Sequence, residues 1–249
     1  MSFDVLFSPR AVGPDDLAGR TVIVIDILRA TTTMCAALHH GAHAIIPTAS
    51  PDEARAVART IGTDAVVLAG ERNAVPIPGF DLGNSPRGMT PERVRDKTVV
   101  LCTTNGTKAL LSAQSATAVY PGAACNLSLL AALGRATLEA EGSLLVLCAG
   151  RAGRFGLDDA YCAGRLVTAV LDEVDPGIHD VLSDSARAAV EMARGLGQRW
   201  DIPLRLSMAG QDLQRLGFGA DIDDAGREDV FPSLIRFHDG QVARHAETT

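Results

Sequence analysis

The sequence predicts an α/β fold, with three α/β/α layers around a mostly parallel or mixed sheet. Three stretches share one order of elements: a buried strand leads through a polar or glycine-rich loop into a helix. These stretches begin at Thr21, Thr98 and Ser143. Runs of apolar, β-branched residues are typical of parallel strands that helices cover on both faces. The repeated order therefore predicts a sheet whose polar loops gather on one edge.

The other elements fit around these repeats. Alternating or continuous apolar runs predict the further strands, and a Ser-Pro start or an amphipathic pattern predicts the further helices. The strands are expected at residues 3–7, 44–47, 65–69 and 118–120, and the helices at residues 33–40, 50–60 and 184–195. Near the end of the sequence, Asp239-Gly240 stands between apolar residues and predicts a closing hairpin.

The composition is that of an ordinary globular protein. Of the 249 residues, 47% are hydrophobic and 21% are charged. We predict a single α/β unit over residues 1–249; if it divides into two lobes around a cleft, the seam is expected at residues 134–142. The net charge of −7 and the 4% of aromatic residues argue against a nucleic-acid partner.

The cysteines and the lengths of the apolar runs indicate the cellular compartment in which the protein is expected. There are five cysteines, an odd number, and no two of them form a C-x-x-C pair. This usage is typical of reduced, small hydrophobic residues inside a cytoplasmic protein. The sequence shows no signal peptide and no apolar run long enough to span a membrane, so a cytoplasmic location without a membrane partner is expected.

The stretch Thr21–Thr33 is the first candidate site. Its strand ends at Asp26, and Arg29 and three threonines follow before the helix begins. Strand ends of this kind bind ligands in open α/β sheets, and the combination of an Asp with an Arg suits a metal ion beside an anion. The alternative is a structural ion pair with a threonine helix cap. The stretch alone leaves both interpretations open.

Residues 70–91 form a long loop rich in glycine and proline. Such a loop inside a compact domain is usually functional, although a surface excursion is the alternative. Glu71 and Arg72 directly follow a strand, and Asn84 lies further along the loop. Asp81 is expected to organise the loop. The position of Glu71 and Arg72 favours a functional role.

Two later loops carry residues of the same kinds. Thr103, Thr104, Asn105 and Gly106 follow one strand, and arginines and two adjacent acids, Asp158 and Asp159, follow another. Acids gathered near arginines suit a hard cation such as Mg²⁺ beside an oxyanion, and arginines with hydroxyl groups suit phosphate or sulfonate. The loops together predict metal-assisted phosphoryl transfer.

Cys148 and Arg154 offer a second mechanism. Their C-x-x-x-x-x-R spacing, after a strand and before a helix, is the layout of cysteine-dependent phosphatases, in which a thiolate attacks phosphorus. However, Leu147 stands where such enzymes usually have His, and Phe155 stands where they usually have a hydroxyl residue. A buried cysteine at a strand end is therefore the favoured interpretation.

Four motifs together resemble the 2-phosphosulfolactate phosphatase family. They are VIDILRATTT at residues 24–33, AGERNAVPIPGFDLGNSP at 69–86, TVVLCTTNGTKAL at 98–110, and CAGRAGRF with LDDAYCAG at 148–164. The similarity covers residues 20–165 and weakly the tail around Gly210 and Asp221. It implies an α/β/α fold, a homodimer, and a Mg²⁺-dependent enzyme that hydrolyses 2-phospho-3-sulfolactate to 3-sulfolactate and phosphate.

The resemblance also suggests roles for individual residues. Asp26, Arg29, Asn105 and Asp159 are the expected catalytic residues, and Asp26, Glu71, Asp158 and Asp159 are the expected Mg²⁺ ligands. The expected substrate-binding residues are Thr31, Thr32, Arg72, Asn84, Thr104, Gly106 and Arg154. These would bind a small anion that carries phosphate and sulfonate.

Two positions depart from the family pattern, and two other functions stay open. Arg151-Ala152-Gly153 stands where the family tends to have Thr-Asn-Gly, which adds a positive charge, and Ala209 stands where a His is expected. The first difference bears on substrate preference, and the second excludes a catalytic His there.

The alternatives are a phosphatase for another small phosphorylated acid and a protein that binds a small anion without hydrolysing it.

Overall fold

A mixed sheet runs through the whole molecule. The computed structural model describes residues 1–172 and 181–245. Within these residues, ten strands form the sheet. Together with the helices, they make up the predicted three-layer α/β/α fold. The strands are β1 (Ser2–Leu6), β2 (Thr21–Ile25), β3 (Ala44–Thr48), β4 (Val66–Arg72), β5 (Val75–Pro76), β6 (Thr98–Cys102), β7 (Ala118–Gly122), β8 (Ser143–Cys148), β9 (Ile235–His238) and β10 (Gln241–Arg244).

Helices cover both faces of this sheet. Those in the described residues are α1 (Pro14–Leu17), α2 (Ala30–His39), α3 (Pro51–Ile61), α4 (Pro91–Val94), α5 (Gly106–Ser112), α6 (Leu127–Glu141), α7 (Leu157–Leu171), α8 (Asp184–Leu196), α9 (Asp201–Leu206), α10 (Met208–Arg215) and α11 (Gly219–Ala225). None of the helices in the described ranges is long and apolar enough to cross a membrane.

The strand order divides the sheet into two parallel groups. The order is β1-β8-β2-β7-β9-β10-β3-β6-β4-β5. Strands β1, β8, β2 and β7 are parallel to one another, and so are β3, β6 and β4. The hairpin β9–β10 lies between the groups and pairs antiparallel with β7 on one side and β3 on the other. The sheet is therefore mixed, which is one of the two predicted forms.

The predicted closing hairpin is confirmed. Its turn is Asp239-Gly240, and both residues have positive φ angles, 48° and 77°. Two consecutive positive φ angles are what a two-residue hairpin turn requires, and Asp-Gly adopts them at low cost. The turn residues identified the hairpin, but they gave no indication that it would join the two halves of the sheet.

Helix α2 connects the two groups of strands in the core. Nine consecutive residues, 30–38, are buried, so every face of the helix is covered. It packs on β7, β10 and β3, and it contacts α5. The loop that follows β2 and the loop that follows β6 therefore meet at the start of these two helices. Residues 134–142, the predicted seam, comprise the second half of α6 and Gly142, and a division into lobes stays a prediction.

The contact between α7 and α8 depends on a glycine. A Cβ atom at Gly164 would lie 2.1 Å from the carbonyl oxygen of Ala189 and 2.9 Å from the Cβ of Ala193. We expect Gly164→Ala to lower the free energy of unfolding by about 1–3 kcal/mol, because backbone must move to admit the methyl group. Denaturant unfolding followed by circular dichroism measures this change.

Gly195→Ala in α8 is the matched control. No heavy atom lies within 4 Å of the position that its Cβ would take. This substitution is expected to raise the free energy of unfolding by about 0.5–1 kcal/mol, because alanine has the higher helix propensity. Equal effects of the two substitutions would contradict the close helix contact at Gly164.

Candidate active site

A cavity of about 200 Å³ lies where four loops and helix α10 meet. The loops follow β2, β4, β6 and β8, so the expectation that polar loops gather at one place is confirmed. Helix α10 supplies the remaining wall. The lining residues are Asp26, Leu28, Arg29, Glu71, Asn73, Ala74, Asn84, Thr104, Asn105, Gly150, Arg151, Ala152, Asp158, Asp159, Ala209, Asp212 and Leu213.

Asp26 follows directly on β2, and its side chain starts helix α2. Its Oδ1 accepts a hydrogen bond from the backbone N–H of Ala30 at 3.0 Å. The Thr31 hydroxyl donates to the Asp26 carbonyl oxygen at 2.8 Å, and the Thr32 hydroxyl donates to the Ile27 carbonyl oxygen at 2.8 Å. Thr31 and Thr32 were expected to bind substrate, but they are buried, do not line the cavity and hold the loop in shape.

Gly106, the first residue of α5, allows the start of α5 to lie close to the start of α2. A Cβ atom here would lie 2.4 Å from the Cβ of Ala30 and 2.5 Å from Oδ2 of Asp26. A side chain of any size would therefore separate the start of α5 from the start of α2. Gly106 was expected to bind phosphate, but it does not line the cavity; its absent side chain lets Asp26 lie against α5.

Three cavity carboxyl groups, Asp26, Asp158 and Asp159, have raised pKa values. The pKa of Asp26 is raised to about 7, chiefly by burial and also by the negative charges of Asp158 and Glu71, while the Ala30 N–H and the charge of Arg29 act to lower it. Burial also raises the pKa of Asp158 to about 6, while the backbone N–H groups at the start of α7 and the charge of Arg151 lower it. Like charges gathered in a buried cleft are a common property of functional sites.

Two of the cavity acids, Asp159 and Glu71, accept hydrogen bonds from backbone N–H groups of the loops. Asp159 accepts hydrogen bonds from the N–H of Ile27 at 3.0 Å and of Gly150 at 2.9 Å, so it joins the loops after β2 and β8. Burial raises its pKa well above the usual value, with the charges of Asp158 and Asp26 adding to the effect. Glu71 accepts from the N–H of Ala74 and of Thr104, each at 2.7 Å, and so joins the loops after β4 and β6.

The cavity carboxylates suit a magnesium ion that is held by one or two protein ligands. Within the described part of the chain, no three His, Cys, Asp or Glu side chains form a ready-made metal cage. Mg²⁺ does not need one, because it is usually held by one or two carboxylates together with water and substrate phosphate. Asp26 and Asp158 are suitable for this purpose: their oxygens are hard ligands, and their raised pKa values show that negative charge here lacks compensation.

Two arginines line the cavity, and each contacts an aspartate from the C-terminal helices. Arg29 forms an ion pair with Asp221 of α11, with Nη1 at 2.6 Å from Oδ2. Arg151 forms an ion pair with Asp212 of α10. The arginine at position 151, which departs from the family pattern, therefore does bring a positive charge to the site.

The two other expected arginines lie outside the cavity. Arg72 donates to the carbonyl oxygen of Glu71 at 2.9 Å and contacts the Cys102 sulfur at 3.0 Å. Arg154 is exposed, and its backbone pairs with that of Arg151 across a tight turn. Because Ala152 and Gly153 in this turn both have positive φ, the chain reverses within two residues, and only Arg151 of the pair lines the cavity.

Three expected polar residues do line the cavity. Thr104 donates its hydroxyl to Glu71 at 3.0 Å, and Asn105 accepts from the N–H of Ala152 at 3.1 Å. Asn84 is 4% exposed, and within residues 1–172 and 181–245 no donor lies within hydrogen-bond distance of its Oδ1. A buried polar atom without a partner costs free energy, so a ligand donor at this point would relieve the cost.

The position of Cys148 does not suit a catalytic nucleophile. It is the last residue of β8 and is fully buried, and it does not line the cavity. Burial raises its pKa well above the usual value, and the negative charge of Asp159 adds to this. Because the thiolate is the reactive form, this environment makes the sulfur inert. With Arg154 also outside the cavity, the structure argues against the C-x-x-x-x-x-R mechanism.

The loops that build this cavity are those shared with a known family. The family model described as 2-phosphosulpholactate phosphatase matches residues 6–240. The chain belongs to the 2-phosphosulfolactate phosphatase family. Position 209, where the family resemblance led us to expect a His, carries Ala209, which lines the cavity. This departure from the family pattern therefore lies within the site itself.

Curated relatives agree with the family assignment over nearly their full length. A protein of Symbiobacterium thermophilum named "Probable 2-phosphosulfolactate phosphatase" is 38% identical over 228 residues, which cover 92% of this chain and 95% of the relative. A protein of the same name from Deinococcus radiodurans is 40% identical, covering 89% and 90%. Another from Clostridium beijerinckii is 31% identical, covering 97% and 99%.

Sequence reasoning missed the contribution of the C-terminal helices. Asp212 and Leu213 of α10 line the cavity, and Asp221 of α11 binds a cavity arginine. The stretch after residue 203 had suggested no chemistry, because its short amphipathic helices look like ordinary surface elements. The weak family similarity around Gly210 and Asp221 was the one signal that pointed to this segment.

Proposed function

We propose that the protein hydrolyses 2-phospho-3-sulfolactate to 3-sulfolactate and phosphate. The observation that carries the proposal is the meeting of Asp26 and Asp158 with Arg29 and Arg151 in one small cavity. The substrate has a phosphate, a sulfonate and a carboxylate on a short carbon chain. Arginine binds such oxyanions in a planar, directed way, and the carboxylates suit the cation that phosphoryl transfer needs.

We further propose that Mg²⁺ is the cofactor and that a carboxylate of the pair Asp26 and Asp158 would hold it, together with water and substrate phosphate. When bound, Mg²⁺ neutralises charge on the phosphate oxygens and stabilises the charge that develops during displacement. Hydrogen bonds within the protein hold the loops around the cavity in place. Asp159 and Glu71 fix all four loops through backbone N–H groups, and Asn105 ties the loop after β6 to the loop after β8.

The proton of the attacking water has a nearby acceptor. Burial raises the pKa of Asp26 to about 7 and that of Asp158 to about 6. A carboxylate with a pKa near neutrality is a better proton acceptor than an exposed one and is still ionised in a useful fraction at neutral pH. We propose that the carboxylate of this pair that would not contact the cation accepts the proton while the water attacks phosphorus in line with the ester oxygen. The bond from phosphorus to that oxygen breaks, and the oxygen takes a proton from solvent to become the hydroxyl group of 3-sulfolactate.

The direct test measures phosphate release from 2-phosphosulfolactate with added Mg²⁺ and with EDTA. We expect release that requires Mg²⁺ and is abolished by EDTA. A substrate lacking the sulfonate, 2-phospholactate, serves as the matched control and is expected to react more slowly. Equal rates for both would favour a phosphatase of broader specificity for small phosphorylated acids. Absence of release under all conditions would contradict the proposed activity.

The variant Cys148→Ser separates the two mechanisms in the same assay. Because Cys148 is buried and does not line the cavity, we expect this variant to keep its Mg²⁺-dependent activity. Release that persists in EDTA but is lost in the variant would instead support the thiolate mechanism.

We also propose a homodimer, as the family resemblance implies, and a location in the cytoplasm. All five cysteines lie in the described part of the chain, where each is buried and free. This usage supports a reducing compartment.

A further inference from the structure

A buried carboxylate from the C-terminal segment holds Arg29. The two side chains of the pair, Arg29 and Asp221, are each 3% exposed. Arg29 also donates from Nη2 to the carbonyl oxygen of Ala74 at 3.1 Å, and its guanidinium carbon lies 4.7 Å from the ring centroid of Phe218. The guanidinium group is therefore fixed by an ion pair, a backbone carbonyl and an aromatic ring.

Asp221 is itself held in place. Its Oδ2 faces Arg29, and its Oδ1 accepts a hydrogen bond from the Ser85 hydroxyl at 2.8 Å. Ser85 follows Asn84, the cavity residue with an unpaired buried oxygen. Each carboxylate oxygen of Asp221 thus has a partner of its own, which leaves the group little freedom to rotate.

The buried ion pair of Arg29 and Asp221 adds little net stability to the fold, but it is suited to holding the guanidinium group in one orientation. Removing two charges from water carries a large cost in free energy, and the attraction between them often does no more than offset this cost. Arginine carries five N–H donors in a rigid plane, and Asp221 and Ala74 engage two of them. Since Arg29 lines the cavity, its orientation decides which of the remaining donors a ligand meets.

The other cavity arginine lacks this restraint. The Arg151 side chain is 43% exposed, and its partner Asp212 is shared with Arg215. Ion pairs of this exposed kind contribute little and leave both partners mobile. The site therefore contains one fixed cation, Arg29, and one adjustable cation, Arg151.

We propose that Asp221 is a positioning residue, which fixes Arg29 so that its free N–H donors bind an oxyanion in the cavity. The role of that oxyanion in a reaction rests on the proposed function. The positioning itself does not, because inorganic phosphate can report on it in the absence of turnover.

The test compares Asp221→Asn with Asp224→Asn. Asp224 lies on the same helix and pairs with Arg87 at 2.9 Å, but neither of these residues lines the cavity. Calorimetric titration with inorganic phosphate is expected to show an affinity about tenfold weaker for Asp221→Asn and within about twofold of the original for Asp224→Asn. With 2-phosphosulfolactate, KM is expected to rise by more than kcat falls, because the lost contact is already made in the bound substrate.

A double-mutant cycle separates positioning from a general structural effect. Lysine at position 29 keeps the charge and loses the planar fork. We expect Asp221→Asn to weaken phosphate binding about tenfold in the original protein and less than about twofold in the Arg29→Lys background. The same tenfold loss in both backgrounds would overturn the proposal, as would unchanged phosphate affinity in Asp221→Asn.

A milder variant covers the case in which Asp221→Asn fails to fold. Ser85→Ala removes one hydrogen bond from Asp221 and leaves the charges in place; we expect it to weaken phosphate binding about twofold to fivefold, again less in the Arg29→Lys background. If the original protein binds phosphate with this dependence but releases none from 2-phosphosulfolactate, the proposed function fails and the positioning role stands.

Discussion

Replacing Asp26 with Asn is expected to lower kcat for phosphate release by about a thousandfold or more, while the fold stays intact. An Asn side chain can still accept the hydrogen bond from the Ala30 N–H, so the start of α2 keeps its cap. The variant loses the negative charge and the oxygen that faces the loop after β6. A steady-state assay at saturating Mg²⁺ measures the effect, and the variant Asp224→Asn serves as the control.

The stability of the same variant provides an independent check. Because burial raises the pKa of Asp26, its ionised form destabilises the folded protein. Asp26→Asn is therefore expected to raise the thermal midpoint at neutral pH, or at least to leave it unchanged. A variant that keeps more than about a tenth of the activity would remove Asp26 from the mechanism.

The second large effect is an expected loss of stability of the metal-free protein as the pH rises from about 4 to about 7. The pKa of Asp26 is raised from 3.8 to about 7, so between these values the folded protein keeps a proton that the unfolded chain has lost. The folded state binds more protons, and the free energy of unfolding therefore falls with rising pH. Since Asp158 shifts in the same direction, we expect a total loss of about 1–4 kcal/mol.

Thermal unfolding across this pH range measures the loss, and two comparisons assign it. Asp26→Asn should reduce the pH dependence, because it removes one of the three groups with a raised pKa and leaves Asp158 and Asp159. Added Mg²⁺ should raise the midpoint most at the alkaline end, where the carboxylates are ionised and lack a cation. Stability that is constant or rises over this range in the metal-free protein would contradict the assigned pKa shifts.

Sequence reasoning predicted the acidic part of the site because those residues occupy strand ends. Asp26 directly follows β2, and Asp158 lies in the first turn of α7. Glu71 was expected just after a strand and is the second-last residue of β4. The topology of an α/β sheet brings such positions together. The arginines were harder to place. Arg151 and Arg154 are three residues apart in one loop, and the direction of each side chain depends on a turn that the sequence does not specify.

Long-range pairing limited the prediction of the fold in the same way. The Asp-Gly turn defines the β9–β10 hairpin by local chemistry alone. Its neighbours in the sheet are set by the pairing of Phe237 with Val119 and of Val242 with Ile45, which are far apart in the sequence. No local pattern encodes such contacts, so the hairpin was predicted but its place in the sheet was not.

The central position of that hairpin has a consequence for synthesis on the ribosome. Residues 235–244 leave the ribosome after all the other strands, yet they occupy the middle of the sheet. Until they emerge, β7 and β3 each present an open edge with unpaired backbone groups, which is the feature that other chains recognise during aggregation. The nascent chain therefore has two incomplete half-sheets, and the last strands to be made join them into one.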